Sequence, residues 1–231
     1  MANLDAMFCE FVRDFGGEVV PESDVKCADF LFSDDKIIAE LKTLQEDARQ
    51  EHAARLQGLV DDWARRGLMV VFGRATISLQ KLNPICQREW LKILQAPVQE
   101  IIRRANRQIH STMQSRNLPE AKGLLLIAND GNLLHTSPMD YMNLVNRVLN
   151  KTKPTGERQY PNIHGAVYLS YRVRSSKEGL PFWIAGHTEL GDTIVSSFQD
   201  RLKRGWYNYV SKVTGLPVAE LPIDRAAASE S

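Results

Sequence analysis

Apolar positions change their period several times along this chain, and each change marks an element. Met7, Phe8, Phe11, Val12 and Phe15 recur at helical spacing over residues 5–15, and Gly16-Gly17 ends the pattern, so a short opening helix is expected. Two short apolar runs follow, Ala28 to Phe32 and Ile37 to Leu41, separated by the polar stretch Ser33-Asp34-Asp35-Lys36. They predict a β-hairpin. Thr43 to Arg66 is rich in Glu, Gln, Ala, Arg and Leu and lacks proline, as a long amphipathic helix should. Leu68 to Phe72 suits a strand or a buried link, and Asn83-Pro84 marks a turn. Helical spacing then resumes from Ile85 to Met113, with the stripe Val98, Ile101, Ile102, Ala105, Ile109 and Met113. Pro97 either kinks this helix or begins a second one.

Lys122 to Asn129 is a continuous aliphatic run ended by Asn129-Asp130-Gly131, which predicts a strand covered on both faces. Ser137-Pro138 resembles an N-cap followed by proline at the first helical position, opening a helix to about Asn150. Lys151 to Pro161 reads as a loop, Ala166 to Tyr171 and Phe182 to Ala185 as strands, and Asp192 to Val213 as a closing helix. The last dozen residues are polar and small enough to fray. The two element types alternate as in an α/β protein with a mixed central sheet. One domain over residues 1–217 is expected, with a helical elaboration at about 45–118 and a flexible tail over 218–231.

Composition narrows the function classes. The 231 residues are 43 % hydrophobic, ample for a core, and their formal net charge of +1 gives no global attraction to a polyanion, so any nucleic-acid surface must be local. Cys9, Cys27 and Cys86 are widely separated and odd in number, which argues for a reducing compartment, the cytoplasm by default. The opening MANLDAMFCEFVRDF lacks the basic-then-apolar layout of a secretory signal. No apolar run approaches the roughly 20 residues that span a bilayer, so no membrane partner is expected. The histidines show no metal-ligand spacing, and no phosphate-cradling glycine loop of the GxxxxGK(S/T) kind is present, which argues against an NTPase.

The hairpin carries the candidate chemistry. A two-residue turn at Asp34-Asp35 would pair Ser33 with Lys36 and, counting outward, Asp29 with Glu40; alternation then puts Lys42 on the face of Glu40. Leu31 and Ile38 share that face, while Phe30, Phe32, Ile37, Ala39 and Leu41 take the other. Two opposed carboxylates on a covered face repel each other and lose hydration, a conflict that a hard divalent cation removes. A three-residue turn would instead set Asp29 opposite Ala39 and leave the acids on a looser diagonal. The plainer alternative is that Asp29 and Lys42 are solubilising charges at strand ends.

The stretch Ala28-Asp29-Phe30-Leu31-Phe32 followed by Lys36-Ile37-Ile38-Ala39-Glu40-Leu41-Lys42 resembles the signature of the PD-(D/E)XK nuclease superfamily, an aspartate on one strand and an acid-x-lysine on the next. Ala28 stands where the family usually has proline. The element order also resembles that family's restriction-endonuclease-like αβββαβ core. The resemblance implies a magnesium site, with manganese as a substitute, formed by Asp29, Glu40 and the backbone carbonyl of Leu41. It further implies that Lys42 serves the attacking water and the charge on the phosphorus, and that the substrate is nucleic acid, expected to be DNA. Family members often add an acid from the first helix, for which Glu10 and Glu22 are weak candidates, and a polar residue from the helix after the motif. Gln108 meets the second requirement, with Arg104 one turn before it as a nucleic-acid contact. Arg103, Arg104 and Arg107 form one basic face, and Lys203-Arg204-Gly205-Trp206-Tyr207 with Tyr209 mixes cations and aromatics in another; either suits nucleic acid or plain solvation. A non-catalytic binding module with the same fold, a nuclease that needs a protein partner, and a homodimer all stay open.

Overall fold

A computed structural model of the chain describes residues 4–21, 26–44, 49–70, 81–129, 138–170, 182–187 and 192–215. Their order is α1 (Leu4–Asp14), β1 (Glu18–Val19), β2 (Phe30–Phe32), β3 (Ile37–Leu44), α2 (Arg49–Arg65), α3 (Pro84–Ser115), β4 (Lys122–Asn129), α4 (Pro138–Leu149), β5 (Gly165–Ser170), β6 (Phe182–His187) and α5 (Thr193–Thr214). The α/β expectation holds. The strands lie side by side in chain order in one open mixed sheet: β1, β2 and β3 are antiparallel, β3, β4 and β5 are parallel, and β6 returns antiparallel to β5.

Both faces of the sheet are covered, which is why β4 can be a continuous aliphatic run. On one face α1 and α5 pack Phe8, Phe11, Phe198 and Trp206 against Phe30, Ile37, Ala39, Leu124 and Leu126. On the other, the second half of α3 and all of α4 pack Ile102, Ala105, Ile109, Tyr141 and Val145 against Leu31, Ile38, Leu125 and Ile127. Successive residues of β3 and β4 therefore alternate between two cores, as strand geometry requires. The first half of α3 reaches beyond the sheet and pairs with α2 around a small separate core of Val60, Trp63, Leu82 and Cys86. Pro97 is accommodated inside α3, which continues through it as a single 32-residue helix.

The hairpin register is Phe32 with Ile37, Leu31 with Ile38 and Phe30 with Ala39, so continuing outward sets Asp29 opposite Glu40. The turn reaches this register without a primed geometry: the Lys36 N–H donates to the Ser33 carbonyl at 3.1 Å, and Lys36 itself takes the left-handed conformation at φ 54°. Two sequence expectations shift. Thr43 and Leu44 extend β3, where they pair with Ala128 and Asn129, instead of opening a helix. Leu68 to Val70 is irregular chain that follows α2, with Val70 96 % exposed; Val71 and Phe72 lie outside the described residues, as do Tyr171 and the tail over 218–231. Among the described residues, no helix is long and apolar enough to cross a membrane.

Candidate functional site

Glu40 sits in the middle of β3, on the face toward α3, beside Leu125 of β4 in the sheet register. On β4 that inward position is filled by an aliphatic side chain, yet here it holds a carboxylate with no solvent exposure. Glu40 Oε1 is held by the Lys42 ammonium, and Oε2 has no hydrogen-bond partner. A buried carboxylate with an unpartnered oxygen is costly, so its surroundings must either neutralise or protonate it.

Asp29 lies just beyond the end of β2, where its side chain replaces a backbone partner. Its Oδ2 accepts the Leu41 N–H at 2.7 Å, which ties it across the hairpin to the residue between Glu40 and Lys42. The two carboxyl groups lie close enough that the Asp29 charge opposes ionisation of Glu40. Two carboxylates are both acceptors, so one must carry a proton for that approach to be favourable. Burial, reinforced by the Asp29 charge and opposed by Lys42, pushes Glu40 up to about 8; burial also raises Asp29, against the pull of the Leu41 N–H and Lys42.

Lys42 follows Glu40 on the same face and is held from two sides. Its Nζ contacts Glu40 and also donates to Gln108 Oε1 at 3.1 Å, while Gln108 Nε2 donates to the Cys27 carbonyl at 3.1 Å. Gln108 is thus both satisfied by backbone and bonded to the amine. Lys42 opens onto a cleft of about 750 Å³ lined by Lys26, Glu100, Arg103, Arg104, Arg107, Gln108 and Ser111. The Leu41 side chain points away and packs partly into the opposite core, which leaves only its backbone on the Asp29 side.

The sequence reading missed Asp5, in the first turn of α1. Asp5 Oδ1 accepts from the Thr43 hydroxyl, and its charge is near enough to raise both Asp29 and Cys9. The signal was available: Asp5, Phe8 and Val12 are spaced i, i+3, i+7, which puts the acid on the border of the buried stripe. Glu10 instead accepts from the Tyr209 hydroxyl at 3.0 Å and belongs to the α1–α5 packing; Glu22 lies outside the described residues. The cation-aromatic patch near the C-terminus resolves mostly into core. Trp206 and Tyr209 are buried against Phe8 and Phe11 and cannot stack on bases.

Among the described residues, no group of three or more His, Cys, Asp and Glu side chains is placed to hold a metal ion. The acids open to an ion are a pair, Asp29 and Glu40, and a pair is enough for magnesium, which keeps several waters. The fit is supported by Glu40 Oε2, a buried oxygen without a hydrogen-bond donor. No protein-family model, no curated protein and no solved structure matches this chain significantly.

Proposed function

We propose that the chain is a metal-dependent nuclease that hydrolyses phosphodiester bonds in nucleic acid, with DNA as the expected substrate. The observation that carries this reading is Glu40, a fully enclosed carboxylate with one oxygen on the Lys42 ammonium and the other unpartnered, set beside Asp29 near a cleft rich in cations. Burying a charge this way destabilises a fold, and a site for a divalent ion is the chemistry that compensates for it. With α2 set aside as an elaboration, the order α1, three antiparallel strands, α3 and a parallel β4 resembles a restriction-endonuclease-like core.

In this reading Asp29, Glu40 and the Leu41 carbonyl would hold magnesium, or manganese in its place. Bound there, the ion supplies a water of lowered pKa and polarises the scissile phosphate. The protein's own residues do the rest. Lys42, fixed by Gln108, presents its amine to the cleft where it orients the attacking water and offsets charge growing on the phosphate oxygens. Arg104, Arg107 and Lys26 take the flanking phosphates. The test is an incubation with duplex and single-stranded DNA and with RNA, in magnesium, in manganese and in EDTA. Wild-type protein should cut in either metal and not in EDTA, and Glu40→Ala and Lys42→Ala should each abolish cutting while remaining folded. Cutting by either variant at the wild-type rate would remove the assignment.

A second reading draws on the ion pair between Lys42 and Glu40, which neutralises the buried acid without any cation. A non-catalytic module that keeps this fold would then hold nucleic acid in the same cleft, with binding indifferent to chelator and no cleavage in any metal.

A further inference from the structure

Among the described residues that line the cleft beside Lys42, one is an acid. Glu100 lies on the same face of α3 as Arg103, Arg104 and Arg107, and Lys26 and Lys42 complete the charged wall. Its carboxylate is gripped from two directions. Arg103 donates from Nε to Oε2 at 2.7 Å and from a terminal guanidinium nitrogen to Oε1 at 2.6 Å, while Arg104 Nε donates to the same Oε1 at 2.6 Å. A planar guanidinium fork that fits a carboxylate also fits a phosphate, because both present two oxygens at matching separation.

The two arginines pull Glu100 down to about 2, so it stays ionised at every pH at which the protein would work and cannot serve as a proton switch. Nor is the cluster a structural clamp. The side chains of Arg103, Arg104 and Glu100 are 48 %, 63 % and 39 % exposed, and ion pairs in that much water contribute little to folding. What remains is its effect on the cleft. Arg107 and Lys26 form no ion pair among the described residues, whereas Arg103 and Arg104 already give three N–H donors and much of their charge to an anion. Each charge-assisted bond that Glu100 takes is one that an incoming phosphate must replace.

We infer that Glu100 is an internal stand-in for a substrate phosphate: it occupies Arg103 and Arg104 in the free protein and yields them when a nucleic-acid backbone enters the cleft. The inference rests on the nucleic-acid reading of the cleft and adds to it a residue that sets how strongly and how selectively the backbone is held. Arg107 and Lys26 make first contact. The phosphate next in line then displaces the carboxylate, an exchange of one anion for another on the same donors. By lowering the charge of the empty cleft, Glu100 weakens retention of any polyanion that cannot complete the exchange.

The experiment measures equilibrium binding of short, fluorescently labelled duplex DNA, single-stranded DNA and RNA in EDTA over a series of salt concentrations. Wild type, Glu100→Gln and the double variant R103A/R104A are compared. Glu100→Gln keeps the shape and removes the charge, so it should bind roughly three- to tenfold tighter at low salt, with a log–log salt slope steeper by roughly 1 to 2 because two more cations are free to meet phosphates. R103A/R104A should bind more weakly with a shallower slope, and thermal unfolding of both should stay near wild type. Wild-type binding that R103A/R104A weakens but Glu100→Gln leaves unchanged, or weakens, overturns the inference and spares the nucleic-acid reading. Failure of the wild type to bind any of the three probes removes both.

Discussion

Glu40 stands where the sheet would otherwise bury an aliphatic side chain, and its protonation follows from that position. Its folded pKa is raised from 4.5 to about 8 by burial and by Asp29, so ionising it opposes folding. The linkage sign follows directly: the contribution to stability is fully present below pH 4.5 and is lost as pH rises through about 8. Metal-free protein should therefore become less stable across that window, by an amount on the order of a few kcal/mol. Glu40→Gln should flatten the dependence and raise metal-free stability at pH 8; denaturant unfolding at a series of pH values in EDTA measures both. A wild-type curve without that fall would mean that Glu40 is hydrated or better partnered than its enclosure implies. Gln108 offers a second prediction at this scale. Gln108→Ala removes one of the two groups that hold the Lys42 amine and should lower the rate of cleavage more than it weakens binding of nucleic acid, because the cleft cations remain. Equal losses in both would assign Gln108 to the nucleic acid itself.

Among the elements, β4 depends on a close approach that only glycine permits. A Cβ on Gly123 would stand 1.9 Å from the Asn162 carbonyl oxygen and 2.8 Å from Ile109, so Gly123→Ala must displace the loop before β5 or the stripe of α3. A loss of about 1 to 3 kcal/mol or more is expected, read from the denaturation midpoint at unchanged slope. The α2–α3 arm should behave differently. Trp63 is fully buried there, stacks on Trp90 and donates to Glu89 at 2.7 Å, but its core is small and separate from the sheet. Trp63→Ala should cost about 3 to 5 kcal/mol within the arm. Hydrogen exchange should then show α2 amides losing protection while β4 amides keep theirs; equal loss in both would show that arm and sheet unfold as one.

The same elements show what the sequence could and could not tell. The hairpin register and the shared face of Asp29, Glu40 and Lys42 were legible because strand alternation is strict and both faces are apolar. The helical reading of Thr43 and Leu44 failed because pairing with Ala128 and Asn129 is a tertiary contact that local composition does not record. Asp5 was overlooked because only the packing of α1 on the sheet brings it to Thr43, 38 residues away in sequence. Trp206 and Tyr209 looked like an exposed stacking surface because cations flank them, and lie instead beneath α1.

For the molecule as a whole, a net charge of +1 conceals a strongly uneven surface. Among the described residues, five cations and one acid line the cleft onto which Lys42 opens, so attraction to a polyanion is local and should weaken steeply with salt. The two cores fix the sheet from both sides, and the site takes its rigidity from β2, β3 and α3. The nuclease reading depends on whether the Asp29–Glu40 pair takes a divalent cation. Calorimetric titration with manganese near pH 7, repeated in buffers of different ionisation enthalpy, tests this most directly. The account predicts uptake of about one ion per chain, accompanied by release of up to about one proton as the shared carboxyl proton leaves, both lost in Glu40→Gln. Saturable binding unchanged in Glu40→Gln, or no binding by the wild type, would contradict it.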